Sequence, residues 1–567
     1  MGIDSLKNVE KSVDNVDNTL VVLVYITIKY ASKMHSFCRA MGVQILKKKL
    51  FIKNALILTA TALVLRFAGI FFKVWLAGKV GAEGIGLYQL VFSFYALVST
   101  FAACGISTAV TRLVTDELVL GSRRSVEKIV LRAVALSLSV AFLTFFVVYF
   151  GADFISGTLI GDMRAAKALK ILAFSLPFMG ISSCLKGYFI ARRATLPPSI
   201  SQIIEQVTRI SVCAILLLRY STSVEDAAAA VLFGDTVAEA VSFLFVFVSY
   251  RLDIKKNTPL AGRVSPPFSV AKKIAAISLP IAGGRYLNSA LRTAENVLVP
   301  KALARSALDS SASLAVFGNI KGMALPILLF PSSLLNSVSM LLIPEMSEYA
   351  AVGDKKGIAG TTARTLSLTF SFSAIITAVF CLYGGQIGEI IYKDNSVGRI
   401  IMLLSPLVPV MYLDSVADGI LKGLDEQLIT FRNSILDSSL RIILVMLLLP
   451  YYGENGFIGI MYFSNFLTCI MNVARLFKVT KCRIDFVGSV VFPTLAAAFS
   501  ALVARILAKT AKGGGEIIET AIFCLAAVGI YGIIMVLKEG KNAVFGRQKT
   551  TGGDDCTRGA DNLAVGL

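Results

Sequence analysis

The sequence predicts an all-α polytopic membrane protein of about fourteen transmembrane helices, and three observations carry that prediction. First, the 567 residues are 56% hydrophobic and only 16% charged, against roughly 45–50% and about 25% in soluble domains. Second, the mean hydropathy is +0.74, too high for water-soluble domains over this length. Third, Lys and Arg outnumber Asp and Glu by 56 to 36, yet the basic residues cluster between long apolar runs. That pattern reports membrane topology and argues against nucleic acid as a partner. A span needs about 20 apolar residues, so the length is consistent with one large polytopic domain.

The side-chain inventory removes several enzyme classes. The single histidine, His35, lies in a polar N-terminal stretch, so no His base, triad or His-rich metal site is available in the body. The nine cysteines are scattered without a C-x-x-C pair, most of them inside apolar runs where Cys acts as a small hydrophobe. No G-x-x-x-x-G-K-[ST] loop is present, which excludes a P-loop ATPase. The expectation is a non-enzyme without a resident cofactor.

Along the chain, residues 1–45 are polar and of mixed charge apart from Leu20–Ile28, which is too short to span. They read as a poorly ordered extension, with Met41 a natural start and too many acids for a signal peptide. Spans are expected near 54–77, 84–108, 129–150, 168–190, 199–218, 227–249, 274–299, 315–344, 364–384, 400–421, 428–449, 456–474, 488–507 and 516–537. Residues 46–260 then form an N-terminal half (spans 1–6), 261–480 a C-terminal half (spans 7–12), 481–540 two extra spans, and 541–567 a disordered tail. One set of loops holds Lys47–Lys49, Arg123, Arg124, Arg192, Arg193, Lys255, Lys256, Lys355, Lys356, Lys478 and Lys481, and the alternate set is much poorer in basic residues. The positive-inside bias therefore places both termini in the cytoplasm.

Duplication supports the two halves. At one constant offset Pro177 falls on Pro409, Gly187 on Gly419, Glu205 on Asp437 and Arg209 on Arg441, and at another Arg66 and Lys73 of span 1 fall on Arg285 and Arg292 of span 7. These are ionisable residues at membrane depth, where each costs about 2.5–3.5 kcal/mol on insertion scales and normally faces a bundle interior or a water-filled cavity. Glu205 with Arg209 and Asp437 with Arg441 stand four apart on one helix face, as structural pairs do. Arg66, Arg285 and Lys321 have no acid at helical spacing. Lys73 is open to snorkelling toward headgroups. Basic residues directed by two halves toward a shared interface would make a cationic chamber, and Arg forks match phosphate oxygens. Arg66, Lys73, Arg285, Arg292 and Lys321 are therefore the candidate ligands of a pyrophosphate headgroup.

The run Gly81-Ala82-Glu83-Gly84-Ile85-Gly86-Leu87-Tyr88-Gln89, followed by Cys104-Gly105-Ile106-Ser107-Thr108-Ala109-Val110-Thr111-Arg112-Leu113-Val114, resembles the stage V sporulation protein B family. That family is part of the multidrug/oligosaccharidyl-lipid/polysaccharide (MOP) flippase superfamily, with the lipid II flippases and the multidrug and toxin extrusion (MATE) transporters. The likeness covers roughly residues 41–540. It implies a MATE-like fold and a polysaccharide biosynthesis protein that flips an undecaprenyl-pyrophosphate-linked saccharide across the cytoplasmic membrane by alternating access, for spore cortex peptidoglycan. Partners are then the lipid-linked saccharide, membrane lipids and cell-wall synthases. Lys321 and Pro326 match the basic residue five positions before a proline in span 8 of lipid II flippases. Asn288 to Glu295 in span 7 and Asn433-x-x-x-Asp437 in span 11 match their sodium ligands, with Glu in place of Asp and Thr468 a candidate hydroxyl. The resemblance thus implies coupling to Na+ at Glu295, Asn433 and Asp437, or to membrane potential. Span 2 departs from that branch: Val98, Ser99 and Thr100 stand where it has basic residues. Two alternatives remain at this level, a cation-coupled multidrug exporter, which predicts an acid-lined cavity, and a transport-inactive scaffold for cell-wall synthesis.

Overall fold

A computed structural model describes residues 19–103, 105–119, 123–220, 223–256, 267–306, 309–510 and 515–550. The described residues are helical throughout apart from short connections, with no strand among them. The chain divides into a unit of residues 1–60 and a larger one of residues 61–567, and the cavity described below belongs entirely to the second. The helices are α1 (Thr19–Ala103), α2 (Ile106–Val119), α3 (Arg123–Phe154), α4 (Ala165–Ala173), α5 (Ser175–Ala191), α6 (Leu196–Tyr220), α7 (Val224–Lys256) and α8 (Pro267–Leu303). They continue with α9 (Ser310–Phe317), α10 (Leu325–Leu329), α11 (Ser332–Val352), α12 (Lys355–Tyr392), α13 (Asn395–Leu404), α14 (Val408–Gly423), α15 (Gln427–Thr480), α16 (Phe492–Thr510) and α17 (Gly515–Thr550).

Length and composition mark ten helices as able to cross a membrane, or eleven when the bent pair α4 and α5 counts as one span. The sequence expectation of about fourteen differs for two physical reasons. The helices α1 and α15 are each two helices joined at a glycine, Gly81 (φ 69°) and Gly453 (φ 53°), conformations that L side chains adopt poorly. Each therefore counts once here and twice in the sequence reading. The helix α8 carries Lys272, Lys273, Arg285, Arg292 and Glu295 and is too polar to qualify by hydropathy alone.

Of the N-terminal extension, residues 19–45 are helical and run into the rest of α1. Residues 1–18, and the part of the expected disordered tail beyond Thr550, lie outside the described residues, while 541–550 continue α17.

Local chemistry explains where the elements stop. Asp309, Asp354 and Asp394 cap α9, α12 and α13 by accepting from the amides of Ala312, Gly357 and Ser396. Pro326 removes an amide, and the turn that precedes it opens into a π-helical segment (Gly318–Ala324) between α9 and α10. The α13–α14 span is interrupted by a 3₁₀ turn at Ser405–Leu407 containing Pro406. Around the cavity α8 and α14 both pack against α15, and the second part of α1 meets α9 and its π-helical continuation. There the backbones touch: a Cβ at Gly86 would overlap the Leu314 carbonyl oxygen, and one at Gly318 the Ala82 carbonyl oxygen.

Candidate functional site

Helices α1, α8, α14 and α15, with the π-helical segment and α10, enclose a cavity of about 1640 Å³ within the bundle. All five predicted anion ligands line it: Arg66 and Lys73 from α1, Arg285 and Arg292 from α8, and Lys321 from the π-helical turn. With Lys422 and Arg441 the lining holds seven cations against four carboxylates, Glu295, Asp414, Asp418 and Asp437.

The ion pairs divide the cations into two groups. Lys321 Nζ lies 2.9 Å from Glu295 Oε1, and Arg441 reaches Glu295 at 3.3 Å and Asp437 at 2.5 Å. Lys422 holds Asp418 at 2.5 Å. The reading of Lys321 as unpaired is thereby corrected: its acid lies on α8, and helical spacing cannot register a partner across an interface. Among the described residues Lys73, Arg285 and Arg292 form no ion pair, and Arg66 donates only to the Leu329 carbonyl at 3.3 Å. Arg292, three residues before Glu295, makes no bridge to it. Four basic side chains are thus available to a guest.

The residues matched to a sodium site take other partners. The Arg441 guanidinium stands between the Glu295 and Asp437 carboxylates, where a cation would have to sit. Asn433 is buried and donates to Asn472 Oδ1 at 2.9 Å, and Thr468, on the cavity wall, donates to the Ser464 carbonyl at 3.0 Å. The hydroxyl that reaches Asp437 is that of Ser464. Ser464 lies one turn before Thr468 on α15. No group of three or more His, Cys, Asp or Glu able to hold a metal occurs among the described residues. In this arrangement the set does not fit a sodium ion, because arginine already neutralises the acids.

The other pair lies away from the cavity. Arg209 on α6 binds Glu205 at 3.1 Å and also Asp235 of α7, while Lys186 of α5 stands 3.8 Å from Glu205. Glu205 and Arg209 therefore join three helices inside the bundle, and neither lines the cavity. Asn472, Asn465 and Gln89 line it and carry no periodicity that would have singled them out.

A membrane bundle with broken helices around a charged central cavity defines a polytopic membrane protein of transporter type. The fold agrees with solved structures: the lipid II flippase MurJ in an inward closed conformation (TM-score 0.63, 16% identity, 84% of this chain and 98% of that one). An inward-facing multidrug resistance MATE family transporter of the MOP superfamily matches with TM-score 0.57 and 12% identity over 75% of this chain and 98% of that one. The chain belongs to the polysaccharide biosynthesis protein family, whose model matches residues 51–350. It is 24% identical over 499 residues to stage V sporulation protein B of Bacillus subtilis (strain 168), covering 86% of this chain and 96% of that protein.

Proposed function

We propose that this protein is a flippase for a lipid-linked saccharide, carrying an undecaprenyl-pyrophosphate-linked headgroup from the cytoplasmic to the outer leaflet. The observation that carries the reading is the surplus of cavity cations: Arg66, Lys73, Arg285 and Arg292 line the space without a carboxylate partner. A pyrophosphate supplies the missing negative charge, and guanidinium forks bind its oxygens in pairs. The lipid tail stays in the bilayer while the headgroup occupies the cavity.

Positive-inside bias sets both termini in the cytoplasm. The part of the lining at Lys422, Gln427 and Leu428, where α14 passes into α15, then faces the cytoplasm. At the cavity's other end, Gln89 and Lys321 lie one turn from the backbone contact of Gly86 with α9 and of Gly318 with α1. Transport requires that contact to part as residues 46–260 rock against 261–480. The likeness to stage V sporulation protein B and to a lipid II flippase favours a peptidoglycan-type precursor for the spore cortex, delivered to cell-wall synthases. A multidrug exporter of organic cations is disfavoured by the net positive lining.

The test is binding of undecaprenyl pyrophosphate to the purified full chain in nanodiscs. Each charge-assisted hydrogen bond is worth about 1.5–3 kcal/mol, so Arg285→Ala and Arg292→Ala should each weaken binding roughly 10- to 100-fold. Unaltered affinity in both variants would sink the assignment.

A further inference from the structure

Asp414 on α14 differs from every other carboxylate of the cavity. Glu295, Asp418 and Asp437 each have a lysine or arginine within 3.3 Å or less, whereas among the described residues Asp414 has no cationic partner. Its Oδ1 accepts one hydrogen bond, from Asn472 Nδ2 at 2.8 Å, and its Oδ2 accepts none among the described residues. Asp418, one turn further along the same face, is held by Lys422, so α14 presents two carboxylates and one ammonium to the cavity. Like charges four apart on a helix repel, and a carboxylate without a counter-ion at membrane depth is costly. A ligand that brings a positive charge to this place relieves both.

The neighbouring amide indicates what kind of cation fits. Asn472 is buried, and its Oδ1 is occupied by the Nδ2 of Asn433, so it turns its NH2 toward Asp414. A metal ion would need further oxygens here, and the amide offers a donor in place of one. An ammonium carries its own N–H donors and needs one acceptor, the open Oδ2. Meanwhile the unpaired cations stand on α1 and α8, so the cavity displays a cationic face and one acidic point on separate elements.

We propose that Asp414 is a specificity-determining residue that binds a primary ammonium on the transported headgroup. The cavity thereby selects headgroups that carry a free amine as well as the pyrophosphate. This rests on the flippase reading above and adds the second charge of the substrate. A lipid-linked saccharide whose amine is acetylated keeps the pyrophosphate contacts and loses the contact to Asp414.

The experiment measures binding of two such lipids to the full chain in nanodiscs, identical except that one bears a free amine and the other its N-acetyl form. Wild type should prefer the free amine roughly tenfold. Asp414→Asn, which retains an oxygen for Asn472, should bind both forms with the weaker affinity, and Asp414→Glu should recover part of the preference. Equal binding of the two lipids by wild type, or an undiminished preference in Asp414→Asn, overturns the proposal while leaving the pyrophosphate reading intact. Failure to bind either lipid overturns the flippase reading itself. Should Asp414→Asn abolish a sodium dependence of binding and spare the amine preference, the acid serves an inorganic cation and the proposal falls.

Discussion

Replacing Glu295 by Gln should move stability and ligand affinity in opposite directions. The Glu295 side chain is 4% exposed and is shared by Lys321 at 2.9 Å and Arg441 at 3.3 Å. At an effective dielectric constant of about 20 these separations correspond to roughly 5–6 kcal/mol of attraction each before desolvation. Removing one partner of a buried ion pair costs about 3–5 kcal/mol net. Lys321 and Arg441 are 17% and 21% exposed toward the cavity, so water offsets part of the loss and the lower end, about 3 kcal/mol, applies. Arg441 keeps Asp437, but Lys321 is left without a carboxylate and joins the four available cations. The variant should therefore unfold several degrees below wild type and bind undecaprenyl pyrophosphate about tenfold more tightly, one added charge-assisted hydrogen bond. Thermal unfolding in detergent and lipid binding in nanodiscs read the two effects. A fall in both would refute the reasoning, because it would make Glu295 a structural brace or a direct ligand and not the group that restrains Lys321.

Other consequences test separate parts of the structure. Asp235→Ala should destabilise the protein by about 3 kcal/mol, since Arg209 keeps only Glu205 inside the bundle, and Asp235→Leu with Arg209→Met should recover most of the loss in the same unfolding assay. Gly318→Val should cost about 1–3 kcal/mol or more, because the added atoms meet the Ala82 carbonyl and the backbone cannot yield as a side chain would; a thermal midpoint equal to wild type would contradict the close approach. Exchange of sodium for choline on both sides of a proteoliposome should leave translocation unchanged, as Arg441 already neutralises Glu295 and Asp437, and a severalfold drop would show that the arginine yields its place to sodium.

Legibility from sequence followed the range of the interactions. Charges in apolar runs have few places to go, and the pairing of Arg66 and Lys73 with Arg285 and Arg292 across the duplication pointed to a shared interior; all four line the cavity. Spans 1 and 2 were separable as two apolar runs, and the helix breaks between them at Gly81. What escaped was contact between helices distant in sequence. Lys321 read as free because its carboxylate is 26 residues away on α8. Ser464, whose hydroxyl reaches Asp437, carries no mark in the sequence that sets it apart from the other hydroxyls of α15. Asn472 is ordinary in the sequence and gains its meaning only where Asn433 and Asp414 flank it. The sodium ligands came from a family resemblance, and that resemblance does not register the Arg441 guanidinium between the two acids.

The most direct test of the central claim is translocation itself. Proteoliposomes carrying the full chain and a fluorescent undecaprenyl-pyrophosphate-linked saccharide, quenched from one side, report the fraction of headgroups that cross. Wild-type chain should equilibrate the two leaflets, and Arg285→Ala combined with Arg292→Ala should slow crossing at least roughly tenfold at unchanged protein content and thermal midpoint. Crossing at the wild-type rate in the double variant, or none above protein-free vesicles with wild type, would contradict the account.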